Sequence, residues 1–307
     1  MPDRPDKLML LDSASLYFRA FFGVPDSIRA PDGSPVNAVR GLLDFIARLV
    51  SVHRPTRLVA CMDADWRPAF RVAAVPSYKA HRVAPQGGEE VPDDLTPQVP
   101  VIEAVLDAFG LARVGVPGFE ADDVIGTIAA QADCPVDVVS GDRDLFQVVD
   151  DARQVRVLYT ARGVGKHEVV DESEVLRRYG VPGRRYADFA ILRGDPSDGL
   201  PGVKGVGEKT AATLVSRFGT VEDLLLALGD PSADRSPTVR VKLAAARDYL
   251  TAAPAVARVR TDAPLPPYDD RLPGRPAHPE DLVELADRWG LDSSVNRVLN
   301  ALAASSA

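Results

Sequence analysis

Cysteine and histidine are scarce in this sequence, which has two cysteines, Cys61 and Cys134, and four histidines among 307 residues. Two cysteines are too few for a disulfide framework, and neither residue type has the spacing of a zinc site. Both cysteines adjoin predicted strands, so we expect them to be small buried hydrophobic residues. Transition-metal chemistry through soft ligands is therefore not expected.

Long apolar runs are also missing. No stretch approaches the ~20 residues that cross a bilayer, and the charged N-terminus has no apolar segment ending in a small-residue cleavage site. We therefore expect a cytoplasmic protein. The composition, with 46% hydrophobic and 26% charged residues, is that of a globular protein with one large domain or two modest ones.

Positive charge is in short supply, since 36 Lys+Arg stand against 44 Asp+Glu and the formal net charge is -8. Phosphate contacts need basic surface, so this balance taken alone argues weakly against nucleic-acid binding. Nine of the acids, however, belong to one constellation described below. Without those nine the count is 36 against 35, and the acidity no longer opposes DNA binding.

Short runs rich in leucine and β-branched residues alternate with segments of helical periodicity. The predicted strands are 7–11, 57–62, 111–116, 136–139 and 154–159, and the predicted helices between them are 36–52, 101–109 and 122–132. This alternation predicts an α/β fold, a mainly parallel sheet with helices on both faces. In such sheets ligands bind beyond the carboxyl ends of the strands.

Two further regions differ from this alternating part. Residues from about 76 to 100 combine basic residues with a glycine pair and, from Pro85 onward, four prolines, which indicates a mobile excursion over the sheet. Beyond Gly180 the sequence becomes helical with short glycine turns. We predict a catalytic domain over 1–180 and a helical region over 181–307, with a last helix from Pro279 to Trp289.

Acidic residues form the strongest constellation, because several of them come just past the ends of predicted strands. The set is Asp12, Asp63, Glu120, Asp122, Asp123, Asp142, Asp144, Asp195 and Asp198. Each one alone has an ordinary explanation, since aspartates cap helices and form turns. Together they would share one crevice, where like charges repel unless a cation intervenes.

Hard oxygen ligands of this kind suit Mg²⁺ or Mn²⁺. Two such ions can activate a water and stabilise the leaving oxygen in phosphodiester cleavage. No serine–histidine pair or activated cysteine competes as a nucleophile. The constellation therefore predicts metal-dependent hydrolysis.

A glycine-rich stretch follows the last acids, from Gly202 to Ala211. Glycines allow a backbone to approach a phosphate closely, and the amides that begin the next helix favour an anion. The GxxxxGK[ST] spacing of a P-loop is absent. A helix–hairpin–helix at about 195–216 that grips one duplex backbone fits this sequence, whereas the ordinary alternative is an interhelical turn. Its candidate DNA contacts are Gly202, Lys204, Gly205, Gly207, Lys209 and Thr210.

A third candidate lies in the excursion, at Tyr78, Lys79 and Arg82. The two cations could contact the scissile phosphate, and Tyr78 could stack on an unpaired base. The ordinary alternative is a solvated charged loop. Three further arginines are similarly placed for phosphates and equally ambiguous: Arg19, Arg67 and Arg71.

Six blocks occur in order between about residues 8 and 215: LLDSASLYFRAFFG, CMDADWRPAFR, SYKAHR, GFEADDVIGTIA, SGDRDLFQVV and GDPSDGLPGVKGVGEKTA. This ordered set resembles the bacterial 5′-nucleases, which include standalone exonucleases, bacteriophage 5′-nucleases and the N-terminal domain of DNA polymerase I. The resemblance implies a PIN-like α/β domain with two neighbouring metal sites. One ion would be surrounded by Asp12, Asp63, Glu120 and Asp122. Near the other would lie Asp123, Asp142, Asp144, Asp195 and Asp198.

The same resemblance assigns further residues. Lys79 and Arg82 match the basic pair of a helical arch through or beside which the 5′ strand passes, and Tyr78 matches its aromatic residue. The glycines at 202, 205 and 207 fall in a duplex-binding motif whose carbonyls often hold K⁺. The chain departs from the family at Gly199, where asparagine is usual, and in an arch that is less obviously helical.

The implied activity is divalent-metal-dependent hydrolysis of DNA at 5′ flaps and 5′ ends, as in primer removal and repair. Lys79 and Arg82 would stabilise the transition state, with Asp144 as a catalytic metal ligand. We expect a monomer that associates with a DNA polymerase or ligase. The alternatives are a non-catalytic DNA-junction binding protein, a small PIN-type ribonuclease and a fragment of a polymerase.

Overall fold

A computed structural model of the chain describes residues 5–229 and 237–306. Its six strands are β1 (Leu8–Asp12), β2 (Arg57–Cys61), β3 (Ala112–Val114), β4 (Val136–Ser140), β5 (Val155–Tyr159) and β6 (Glu168–Val170). They form one sheet in the order β3-β2-β1-β4-β5-β6. All neighbours pair in parallel except β5 and β6, which are antiparallel. The mainly parallel sheet predicted from the sequence is confirmed.

The helices of the first part of the chain are α1 (Ser13–Gly23), α2 (Asn37–His53), α3 (Ala69–Ala74), α4 (Gln98–Phe109), α5 (Ala121–Gln131) and α6 (Glu172–Tyr179). Those that follow are α7 (Tyr186–Arg193), α8 (Glu208–Phe218), α9 (Val221–Leu228), α10 (Pro237–Ala245), α11 (Arg247–Ala252), α12 (Pro254–Ala257), α13 (Pro279–Trp289) and α14 (Asp292–Ser306).

Helices cover both faces of the sheet, and the burial of β1 shows why. Leu8 and Leu10 join one hydrophobic core together with α5, α7 and α8. Met9 and Leu11 join the other core, with α2, α4, α13 and α14. All five residues of this strand are buried, as expected for an unbroken apolar run in the centre of a parallel sheet.

The order of the strands reverses at β1, which has β2 on one side and β4 on the other. In open α/β sheets this reversal leaves a crevice at the carboxyl ends of the two strands, because the connections leave in opposite directions. Asp12 ends β1, and Ser140 ends β4 just before Asp142. The topology therefore places the first acids of the constellation at the switch point.

The helical region contains the predicted helix–hairpin–helix. α7 and α8 flank the glycine-rich turn, and the Val203 amide donates to the Leu192 carbonyl at 3.0 Å to close it. α14 packs along α2, so the C-terminal segment returns to the catalytic part of the chain. Among the residues that the structure describes, no helix is long and apolar enough to cross a membrane.

Several sequence-based boundaries were wrong or incomplete. β3 is shorter than the predicted strand 111–116, and β6 was missed because three residues carry too little periodicity. Residues 76–97, all described, contain a 3₁₀ turn at Ala80–Arg82 and a tight turn at the glycine pair, with no α-helix. The predicted loop at 229–237 falls mostly outside the described residues.

Gly126 offers a test of the packing that joins α5 to the C-terminal segment. A Cβ at this position would lie 2.7 Å from the Arg260 carbonyl oxygen. We predict that Gly126→Ala lowers the free energy of unfolding by about 1–3 kcal/mol, since overpacking here forces backbone to move. The measurement is urea denaturation followed by circular dichroism. Gly23→Ala is the matched control, because its Cβ meets no atom within 4 Å; equal stability losses in the two variants would contradict the account.

Candidate active site and metal centre

An open cleft of about 1210 Å³ lies at the carboxyl edge of the sheet. Its acidic lining consists of Asp12, Asp63, Glu89, Glu90, Glu120, Asp122 and Asp142. Its basic lining consists of Arg19, Lys79, Arg82, Arg143 and Arg162. The fold thus brings together five of the nine predicted acids, which are as much as 130 residues apart in sequence.

Asp12 is held by two neighbours. Its Oδ1 accepts from the Ser15 amide at 3.1 Å, which caps α1, and its Oδ2 accepts from the Ser140 hydroxyl at 2.5 Å. The capping role and the cleft role therefore coexist. Burial, followed by the charges of Asp63 and Asp142, raises the pKa of Asp12 to about 7 despite the Ser140 hydrogen bond.

Asp63 and Asp142 hold neighbouring backbone in place. Asp63 Oδ1 accepts from the Ala121 amide at 2.7 Å, and so ties the end of β2 to the start of α5. Asp142 Oδ1 accepts from the Asp144 amide at 2.9 Å. In each aspartate the second carboxylate oxygen takes no part in these hydrogen bonds.

Repulsion among the carboxylates is strong across the cleft. Burial and then the charges of Asp142 and Asp12 raise the pKa of Asp122 well above its usual value. Burial also raises the pKa of Asp144 well above its usual value, with Asp142, Asp198 and Asp195 adding to the effect. Such shifts mark carboxylates whose charge the basic residues of the cleft do not neutralise, and which a bound cation would stabilise.

The two acids of the 195–198 loop differ in their partners. Asp195 is buried and accepts from the Arg193 guanidinium at 3.1 Å and the Ser197 amide at 3.0 Å. Asp198 lies 3.7 Å from the Arg82 guanidinium. Both are close enough to Asp142 to raise its pKa, after the effect of burial.

Glu120 is surrounded by donors. Its Oε1 accepts from the Lys79 ammonium, and its Oε2 accepts from the Arg71 guanidinium. The Tyr78 hydroxyl also donates to Oε2, at 2.6 Å. The sequence pointed to Lys79 and Tyr78 as DNA contacts, whereas here both hold a carboxylate of the cleft.

Asp123 stands apart from the other acids. It is fully buried, and both of its oxygens are paired with Arg71, at 2.7 Å from Nη2 and 2.9 Å from Nη1. Oδ1 also accepts from the Arg260 amide at 2.8 Å. The sequence-based assignment of Asp123 as a metal ligand disagrees with this geometry, because its oxygens are already engaged by a buried arginine.

Two other predicted contacts are placed differently from expectation. The Tyr78 side chain is only 2% exposed, so its ring is not available to stack on a base. Arg67 donates to the Tyr78 carbonyl at 2.6 Å and to the Pro76 carbonyl at 3.0 Å, and so braces the loop. Both residues support the site from behind.

Lys79 and Arg82 do reach the cleft. Lys79 has a left-handed backbone with φ 46°, which is strained for a residue with a side chain. Its amide donates to the Asp198 carbonyl at 3.0 Å, and Arg82 donates to the Ser197 carbonyl at 2.8 Å. Burial alone would lower the pKa of Lys79. The negative charges of Glu120 and Asp198 have the larger combined effect and raise it.

The helix–hairpin–helix presents its backbone to solvent. Lys204, Gly205, Gly207 and Lys209 are exposed. α8 begins after Gly207 without a side-chain cap, so its first amides are free to bind an anion. Lys242 donates to the Gly205 carbonyl at 3.0 Å, which places an ammonium group on this turn.

The donor set fits divalent cations of the hard kind. Among the described residues, no three His, Cys, Asp or Glu side chains form a ready-made group around an ion. Mg²⁺ typically takes one or two carboxylates and completes its shell with waters and substrate phosphates. An open cleft with separated carboxylates and raised pKa values matches that requirement better than a closed cage would.

Sequence reasoning missed several contributors to the cleft, among them Ser140 and two phenylalanines. The Ser140 hydroxyl donates a hydrogen bond to Asp12 and accepts one from the Asp142 amide at 2.9 Å, so it bridges the two residues. Phe18 and Phe22 form an aromatic wall, with Phe22 73% exposed. Ser140 could have been found from its place beside Gly141 and Asp142; an exposed phenylalanine has no such signal.

Comparison with known proteins agrees with this architecture. Residues 7–180 match the model of the 5′-3′ exonuclease N-terminal resolvase-like domain, and residues 181–280 match that of the 5′-3′ exonuclease C-terminal SAM fold. A 5′-3′ exonuclease of Streptomyces coelicolor is 63% identical over 301 residues, covering 96% of this chain and all of that protein. A 5′-3′ exonuclease of Mycobacterium tuberculosis is 56% identical over 309 residues, covering 96% and 97%.

A solved structure shares the fold at low identity. The bacteriophage T5 flap endonuclease, solved with DNA and metal ions, superposes with a TM-score of 0.63 and 17% identity over 96% of this chain and 99% of that one. The family matches favour an enzyme over a non-catalytic junction-binding protein. The chain belongs to the 5′-3′ exonuclease family of hydrolytic nucleases.

Proposed function

We propose that this nuclease hydrolyses DNA at 5′ flaps and 5′ ends, with its acidic cleft as the catalytic centre. The observation that carries the proposal is the set of carboxylates gathered at the switch point, with raised pKa values and basic residues on the rim. Bound Mg²⁺ or Mn²⁺ ions would supply activation of water and neutralisation at the leaving oxygen.

The chain's own residues divide the work. Asp12, Asp63, Glu120 and Asp122 would hold one ion. Asp142, Asp144, Asp195 and Asp198 would hold or orient the second, directly or through water. Asp123 has a different role, since it balances Arg71. Lys79 and Arg82 stand at the rim, where they would meet the charge that develops on the scissile phosphate.

The helical region from 181 onward would bind the duplex. The free amides of α8 and the side chains of Lys204, Lys209 and Thr210 present donors for one phosphate backbone. A K⁺ ion on the carbonyls of the glycine turn would add positive charge there, although the Gly205 carbonyl already accepts from the Lys242 ammonium. Arg19, whose Nε is buried without a partner at the cleft wall, is a further candidate for a phosphate.

In the cell such an activity would remove primers and flaps during replication and repair. The substrate would be a flapped, nicked or branched duplex. We further propose that the protein acts in the cytoplasm as a monomer and works beside a DNA polymerase or ligase, because cleaved flaps leave nicks for them.

The cleavage mechanism is tested on 5′-labelled flap and nicked duplexes with Mg²⁺, Mn²⁺ or chelator. We predict metal-dependent release of the flap, and a loss of more than about 100-fold in Asp144→Asn, since even outer-shell partners of a metal contribute 10–100-fold. Asp133→Asn is the control, because Asp133 is exposed at the opposite end of the sheet. Tight flap binding without cleavage in either metal would revive the junction-binding alternative.

The raised carboxylate pKa values predict how pH affects the metal-free protein. Asp12, with a pKa of about 7, binds more protons when folded than when unfolded. Stability should therefore fall as pH rises from about 4 to 7 and stay low above that. We expect a lower melting temperature at pH 8 than at pH 5.5 in chelator, and recovery at pH 8 on adding Mn²⁺. A melting temperature unmoved by Mn²⁺ at pH 8 would contradict the account.

The duplex-binding role predicts a change in salt dependence. Lys204→Ala and Lys209→Ala should each weaken binding of a flap duplex uniformly across sequences, and each should reduce the slope of log affinity against log salt by about 1. Fluorescence anisotropy in EDTA measures both. Lys166→Ala, outside the helical region, serves as the control. Unchanged slopes in both variants would place the duplex elsewhere.

A further inference from the structure

Arg71 is a buried cation that the cleavage mechanism leaves unused. It lies on the short helix α3, is 2% exposed and does not line the cleft. Its guanidinium donates to Glu120 through Nη1 and forms a two-pronged pair with Asp123. The faces of Phe70 and Tyr78 lie 5.2 Å and 5.8 Å from its Cζ. These carboxylates and aromatic rings hold the planar guanidinium in one orientation.

The guanidinium compensates two buried carboxylates that begin the same helix. Glu120 and Asp123 are 3% and 0% exposed, and they form the capping box of α5. Without Arg71 the Asp123 charge would be buried and uncompensated, which is strongly unfavourable, and Glu120 would keep only the Lys79 ammonium as its cation. Glu120 also faces the cleft, so the orientation of its carboxylate depends on the side chains that donate hydrogen bonds to it.

Arg71 also reaches residues 256–260 of the helical region. Its Nε donates to the Val256 carbonyl at 3.0 Å. Asp123, its partner, accepts from the Arg260 amide at 2.8 Å. One side chain thus connects α3, the start of α5 and residues 256–260, although Arg71 and Val256 are 185 residues apart in sequence.

We propose that Arg71 is a positioning residue of the nuclease. It fixes the Glu120 carboxylate in the orientation that faces the cleft, and it couples that carboxylate to residues 256–260 of the helical region. This inference rests on the proposed role of Glu120 as a metal ligand. Arg71 touches neither substrate nor metal, so its effect passes through Glu120.

The first test is Arg71→Met, measured by calorimetric titration of the DNA-free protein with Mn²⁺ and by flap cleavage. We expect Mn²⁺ to bind about 10- to 100-fold more weakly and kcat to fall by a similar factor, the usual consequence of losing an outer-shell partner. KM for the flap should stay within about 3-fold, since no DNA contact is removed. Arg71→Lys, which keeps the charge and loses the fork, should recover part of both.

A second variant separates positioning from folding. Asp123→Asn added to Arg71→Met removes one buried charge while its amide oxygen can still accept from Arg260. We expect the double variant to recover melting temperature relative to Arg71→Met but not Mn²⁺ affinity or kcat. Recovery of all three together would show that Arg71 is merely structural and would overturn the proposal.

Arg57→Met is the matched control. Arg57 forms a comparable pair with Asp270, at 2.9 Å and 3.0 Å from its Nε, away from the cleft. It should lower the melting temperature and leave Mn²⁺ affinity unchanged. Failure of the proposed function would appear separately, as a wild-type protein that does not cleave in metal, whereas failure of this inference needs an active wild type and unchanged Mn²⁺ affinity in Arg71→Met.

Discussion

The mutual repulsion of carboxylates at the ends of β1, β2 and β4 is the constraint on which the rest of the structure depends. The sheet order brings these acids to one crevice, and burial then raises the pKa of Asp12 and Asp122. The protein meets the charge in two ways. Buried cations balance the acids at the back of the cleft, and the open front is left to divalent ions and phosphate.

A second consequence is the close docking of two loops that carry opposite charge. Ser77 Oγ donates to the Gly199 carbonyl at 2.7 Å, and the Lys79 amide donates to the Asp198 carbonyl. Gly199 has φ 72°, and a Cβ there would lie 2.1 Å from the Ser77 carbonyl oxygen. The family's usual asparagine would not fit this approach, so the glycine at this position is explained by packing. The contact keeps the basic rim beside the last acids.

Much of the fold could be predicted from the sequence, because a buried parallel strand ending in an aspartate is a strong local signal. β6 was missed because it has only three residues, and α14 was missed because the last predicted helix ended at Trp289. The site was predictable in composition but not in role. Asp122 and Asp123 are adjacent and identical in type, yet one faces the cleft and the other pairs with Arg71. That difference depends on an arginine 52 residues away, which no local pattern reveals.

The central claim is that the cleft carboxylates, without Asp123, bind the catalytic ions. Its most direct test is a crystal of the protein soaked in Mn²⁺, with anomalous difference density calculated at the manganese edge. The account predicts peaks among Asp12, Asp63, Asp122 and Asp142, with the Arg71–Asp123 pair intact. A cleft without peaks, or a peak coordinated by Asp123 with Arg71 displaced, would contradict it.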